Sequence, residues 1–238
     1  MQNYIDVFNG DADGICALLQ LRLAEPQDST LVTGVKRDIK LLEKVQAQAG
    51  DKVTVLDISM DKNKAPLLAL LEQKVEVFYC DHHFAGEIPQ NEQLESLIDT
   101  AADTCTSLLI NQYLNGQFVN WAIAAAYGDN MLVAAEQLAD EQGLTAEQKA
   151  QLKALGIAIN YNGYGATVAD LHYAPDELFR LLLAYADPLE MISEQADIYT
   201  KLIANYEADM QQAEQAKLLH QSAVGKIFVL PNQAWARR

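Results

Sequence analysis

The chain has 238 residues, with 17 Lys and Arg against 33 Asp and Glu, and a formal net charge of −16. A broad grip on duplex nucleic acid needs clustered cations, so the composition argues against an extended duplex-DNA surface. It leaves open a site where metal cations bring the positive charge. Half the residues are hydrophobic, which excludes overall disorder, and no apolar run reaches the roughly 18 residues of a membrane span.

The opening MQNYIDVFNGDADG has no basic and apolar leader pattern. Cys16, Cys80 and Cys105 are odd in number and lack C-x-x-C spacing, as expected of a cytoplasmic protein without disulfides.

Along the chain, the first hundred residues alternate β-branched runs with amphipathic stretches. Strands are predicted at Tyr4–Phe8, Thr30–Val35, Lys52–Asp57, Val75–Tyr79 and Ser96–Asp99. Helices are predicted at Ile15–Ala24, Ile39–Ala47 and Ala65–Leu71. Such alternation implies βαβ units: a three-layer α/β/α fold around a mostly parallel sheet of about five strands. From Asp103 the pattern is helical, with apolar spacing over Thr104–Tyr113, Asn120–Tyr127, Asn130–Glu141, Ala146–Asn160 and Pro175–Ala186. Pro188–Gln221 reads as one long polar helix or two, and Lys226–Leu230 as a strand with no partner after it. That strand either joins the sheet edge or opens a further domain; the second reading is preferred. The division expected is a metal-binding catalytic domain over 1–187, a linker helix over 188–225, and the start of a C-terminal substrate-binding domain over 226–238.

The acidic and imidazole residues fall where predicted strands end. Asn9, Asp11 and Asp13 follow the first strand, Asp57 closes the third, and Asp81, His82 and His83 follow the fourth. The C-terminal edge of a parallel sheet is where ligands bind, so these segments are expected to converge. Gly128-Asp129 follows an apolar helix and is brought in from above. Packed carboxylates repel one another unless divalent cations sit among them. Oxygen and imidazole ligands without thiolate suit Mn²⁺, Mg²⁺ or Zn²⁺, and five such side chains suit two ions better than one. A calcium loop fits D-A-D-G less well, because the twelfth position counted from Asn9 is Gln20.

The motifs NGDADG, DIS, DHH and GD, in that order over about residues 1–165, resemble those of the DHH phosphoesterase superfamily. That superfamily includes RecJ-type exonucleases, pyrophosphatases, exopolyphosphatase-like proteins and oligonucleotide phosphodiesterases. The resemblance implies two Mn²⁺ (or Mg²⁺) ions. Asp11 and Asp57 would hold the first. Asp13, Asp57, His82 and Asp129 would hold the second, with Asp57 bridging. It also implies a phosphoesterase that hydrolyses a phosphodiester or phosphoanhydride with a metal-activated water. His83 would face the substrate phosphate, and Asp81 would orient the first imidazole. Two positions depart from the pattern: Val7 stands where many relatives carry His, and Asn9 where RecJ-type members carry Asp. Asn9 is then at most a neutral ligand.

Lys36 and Arg37 follow the second strand and are candidates for phosphate contact, as is Thr104 in the Thr/Ser-rich helix start Asp103-Thr104-Cys105-Thr106-Ser107, whose free amides suit an anion or simply a cap. Tyr161 and Tyr164 are either base-stacking rings or packed tyrosines. The expected substrate is a small phosphate compound, a dinucleotide or a short oligonucleotide, with no membrane partner. The polar helix serves a homodimer as readily as a solvated linker. The alternative function is a catalytically weak or inactive nucleotide-binding module.

Overall fold

The computed structural model describes residues 2–238. Five strands form one all-parallel sheet: β1 (Tyr4–Phe8), β2 (Thr30–Val32), β3 (Lys52–Leu56), β4 (Glu76–Asp81) and β5 (Leu94–Ile98). Their order is β2-β1-β3-β4-β5. Val7 lies beside Val32 on one side and Val55 on the other, and Val55 lies beside Tyr79. The chain leaves β1 toward one side and returns as β3 on the other. That reversal opens a crevice above the C-terminal ends of β1 and β3.

Alternating side chains divide the sheet into two apolar faces. Ile5, Val7, Val53, Val55 and Tyr79 pack with Leu41 and Leu42 and with Leu67, Leu70 and Leu71 of α2 (Lys64–Glu72). Phe8, Leu56 and Cys80 join the other core with α1 (Ala12–Ala24), α3 (Thr106–Tyr113) and α4 (Val119–Gly128). Behind them stack α5 (Leu132–Glu141), α6 (Ala146–Asn162), α7 (Pro175–Leu182), α8 (Pro188–Ser193) and α9 (Asp197–Glu214). The fold is the three-layer α/β architecture expected from the sequence.

α4 is buried from Trp121 to Gly128, so its Trp-Ala-Ile-Ala-Ala-Ala-Tyr run is a core helix without a polar face. Its small residues allow a close crossing with α6. A Cβ added at Gly156 would strike the carbonyl of Ala124. This contact fixes the C-terminal end of α4, and so the residue that follows it, Asp129.

Three expectations need correction. Ile39–Ala47 is not a helix but a single 3-10 turn at Leu41–Lys44. Asn63 intervenes there, accepting from the Leu42 amide at 3.3 Å and donating to the Ile39 carbonyl at 2.7 Å. The side chain thus takes backbone groups that a longer helix would use. Next, the polar helical stretch stops at Glu214 rather than Gln221, after a break at Gln195, which has a φ of 52°. Lastly, the strand near Lys226–Leu230 has a partner that precedes it. β6 (Lys217–Ser222) and β7 (Gly225–Val229) form an antiparallel hairpin outside the main sheet. After the hairpin comes α10 (Ala234–Arg237), where Arg237 and Arg238 pair with Asp170 and Asp209.

One charged pair is buried against the sheet. Asp6, on β1, accepts two hydrogen bonds from the Arg22 guanidinium on α1 and one from Ser29 Oγ. Neither Asp6 nor Arg22 is more than 8 % exposed. The pair locks α1 to the strand that leads into the acidic loop. Removing one partner leaves an uncompensated buried charge, so Asp6→Ala is expected to destabilise the fold by about 3–5 kcal/mol. Urea unfolding measures this, and a loss below about 1 kcal/mol would contradict the reading.

Candidate metal centre

The residues singled out at strand ends meet above the reversal point. Asp11 caps α1: its extended backbone lets Oδ1 accept from the amides of Asp13 and Gly14, both at 3.1 Å. Gly14 is required in this turn because a Cβ would strike the Asn9 backbone. Asp13, one residue into α1, reaches across to the start of α3. Its two oxygens accept from the amides of Thr106 and Ser107, each at 2.7 Å. The free amides of that helix terminus therefore hold a carboxylate of the protein itself.

Asp57 leaves β3 in the left-handed region, with φ of 59°, a conformation that Asp tolerates better than most residues. Its Oδ1 accepts from Thr106 Oγ1 at 3.3 Å. His82 Nε2 lies 3.5 Å from Asp57 Oδ1 and 3.8 Å from both Asp13 Oδ2 and Asp129 Oδ2. His82 Nδ1 faces the Thr104 carbonyl at 3.1 Å. A carbonyl only accepts, so Nδ1 carries the proton and the Nε2 lone pair points at the acids, the arrangement of a metal-ligating imidazole.

Asp81 orients His83 and not His82. His83 Nδ1 is 2.8 Å from Asp81 Oδ1. Residues two apart in extended chain share a side, which brings these two together. The carbonyl of Thr104 does for His82 what the resemblance implies for Asp81. His83 is half exposed at the cleft, and its pKa is raised, first by the hydrogen bond to Asp81.

Among the described residues, ligating side chains converge in two overlapping groups: Asp57 with His82 and His83, and Asp13 with His82 and Asp129. All of these but the buried Asp13 line a cleft of about 390 Å³, with Asn9, Asp11, Lys36 and the exposed Phe84. A groove of about 500 Å³ over Thr54, Phe78 and Glu95, at the opposite end of the sheet, brings no such group together.

Electrostatics follow from the crowding. Burial and the neighbouring Asp11, Asp13 and Asp81 push the Asp57 carboxyl well up. Burial, then Asp13 and Asp11, raise Asp129 to about 6. Burial works against the charge of Asp11 as well, but Lys36 holds it below the ordinary value. The thiols of Cys16, Cys80 and Cys105 are buried and pushed up, first by that burial, so thiolate plays no part.

The donor set fits a divalent cation. It offers several carboxylates and an imidazole with its lone pair inward, and the buried Asn9 Oδ1 has no hydrogen-bond partner.

Lys36 stands inside the site, with Nζ 2.7 Å from Asp11 Oδ2 and 3.4 Å from Asp129 Oδ1. Arg37 is exposed and does not line this cleft. Thr104 is buried and contributes its carbonyl. Tyr161 donates to Asp209 and packs edge-on against Tyr206, whereas Tyr164 lies near the site, 5.6 Å from Lys36 Nζ. Thr106 and Ser107 belong to the polar helix start expected to offer amides to an anion, and the anion they hold is Asp13. Sequence reading misses Asn160. Asn160 carries no signal, since an amide near a helix end is ordinary.

The chain has the DHH-superfamily fold. It superposes on a crystal structure of exonuclease RecJ bound to manganese, with TM-score 0.56, 18% identity, and coverage of 91% of this chain and 66% of that one. The DHH domain of a protein described as belonging to a family of ribosomal proteins gives TM-score 0.56, 14% identity, and coverage of 92% and 60%. RecJ from Thermus thermophilus in complex with Mn²⁺ gives TM-score 0.51, 20% identity, and coverage of 90% and 37%. The chain thus spans less than two thirds of each of these structures. No family model and no curated protein matches the sequence.

A cation entering this cluster competes with protons for Asp57 and Asp129. Their charged forms are lost as pH falls through their raised pKa values, about 6 for Asp129. Manganese affinity is therefore expected to drop by roughly tenfold or more between about pH 7.5 and about pH 5. Calorimetry in matched buffers measures this, and a constant affinity across that window would refute it.

Proposed function

We propose that this chain is a metal-dependent phosphoesterase acting on a phosphodiester or phosphoanhydride of short length. The observation that carries this reading is the approach of Asp13, Asp57 and Asp129 to His82 Nε2, at 3.5 to 3.8 Å, with the His82 lone pair turned inward. A divalent ion bound there supplies Lewis acidity toward a phosphoryl oxygen and lowers the pKa of water.

The chain's own residues do the rest. Asp57 lies beside both His82 and His83 and would, with His82, help hold such an ion. His83, held at Nδ1 by Asp81, lines the cleft, and as an imidazolium its Nε2 would donate to a phosphoryl or leaving oxygen. Thr106 and Ser107 keep Asp13 in place with their amides. Phe84, 70% exposed beside the cleft, offers a flat face to a base or to an apolar leaving group. The overall charge of −16 favours small or short substrates over long polyanions. The RecJ neighbours, one of them described as an exonuclease, are bound to manganese. That likeness supports manganese and a nucleotide-type ester for this chain.

A second reading, a nucleotide-binding module with weak turnover, is favoured by the Lys36 ion pair on Asp11.

The purified chain with Mn²⁺ is expected to hydrolyse bis-(4-nitrophenyl) phosphate. Asp57→Ala or His82→Ala should lower the rate by about a hundredfold or more while leaving the circular dichroism unchanged. Nucleotide binding without manganese-stimulated turnover would favour the module, and rates unchanged in both variants would exclude this site.

A further inference from the structure

We propose that Lys36 is a resident cation of the acidic cluster. Its ammonium takes the place of one of two metal ions, so the chain binds a single divalent ion among Asp13, Asp57, His82 and Asp129. This rests on the metal-centre reading above.

A lysine ammonium has three hydrogens to donate, and three acceptors surround this one. They are Asp11 Oδ2 at 2.7 Å, Asn160 Oδ1 at 3.1 Å and Asp129 Oδ1 at 3.4 Å. The acceptors come from the loop after β1, from α6 and from the end of α4. The residue is fixed from behind as well. Its amide donates to the Gly163 carbonyl at 2.9 Å, and its carbonyl accepts from Asn9 Nδ2 at 3.2 Å. A solvated surface lysine has none of these restraints.

The ligands are divided accordingly. Asp11 gives Oδ1 to the cap of α1 and Oδ2 to Lys36. Asp129 turns Oδ1 to Lys36 and Oδ2 toward His82. On the Lys36 side the nearby side chains that remain are neutral or apolar. Asn9 carries no charge, and Val7 is buried in the opposite core. A second dication there would have to displace an ammonium hydrogen-bonded on three sides and then share only Asp11 and Asp57. On the other side, Asp13, Asp57 and Asp129 each bring a carboxylate oxygen within 3.8 Å of His82 Nε2. An ammonium supplies one positive charge and no open coordination position, so the two halves of the site are not equivalent.

The test uses the full chain, stripped with a chelator and titrated with Mn²⁺. Bound metal is counted by mass spectrometry after desalting, and its spectrum is recorded by electron paramagnetic resonance. The wild type is expected to hold one Mn²⁺ per chain with an isolated-ion spectrum. Lys36→Met is expected to admit a second ion, bound about tenfold or more tighter than any second ion in the wild type, with an exchange-coupled spectrum. Lys36→Gln, neutral but polar, serves if the apolar side chain disturbs folding. Two coupled ions in the wild type would overturn the inference while sparing the metal centre. One ion in every variant would also overturn it. No bound manganese in any of them would overturn the metal centre and this inference together.

Discussion

Carboxylates drawn out of water into one crevice repel each other, and positive charge placed between them relieves that repulsion. Asp11, Asp13, Asp57 and Asp129 are brought together from three separate parts of the fold. Part of their charge is met by the protein itself. The cap amides of α1 serve Asp11, the first amides of α3 serve Asp13, and Lys36 serves Asp11 and Asp129. What remains falls on Asp57 and Asp129, whose carboxyls are pushed up in consequence. The geometry around them therefore favours a cation more than it favours the bare acids.

The architecture exists to hold that arrangement. Strand order reverses at β1, so the loops after β1 and β3 face each other across the crevice without competing for space. The buried Asp6–Arg22 pair ties α1 to β1 just below the acidic loop. On the far side, α4 and α6 meet at Gly156 with backbone nearly in contact, and that crossing sets Asp129 and Asn160 at their distance from Lys36. Asp57 keeps a left-handed backbone beside His82 and His83, a cost of about 1–3 kcal/mol stored at the site.

The parallel sheet and the acidic motifs are legible in the sequence because each strand runs straight into its functional residues. The spacing of NGDADG, DIS and DHH needs only the rule that strand ends share an edge. The orientation of His82 is not legible, since it depends on a carbonyl, that of Thr104, which no residue type announces. Nor is the path of Lys36, whose role is decided by acceptors 93 and 124 positions away. The C-terminal hairpin escapes for a different reason. β6 follows directly on a helix-forming run, and both its strands are exposed, so no alternation of buried and exposed positions marks it. The short turn at Leu41–Lys44 reads as a helix because its apolar residues have helical spacing, while the capture of its backbone by Asn63 is a tertiary event.

The most direct test of the central claim is a crystal of this chain grown with millimolar manganese and measured at the manganese absorption edge. An anomalous peak between His82 Nε2, Asp57 and Asp129 is expected. An empty cleft under those conditions, or a peak held by other residues, would contradict it.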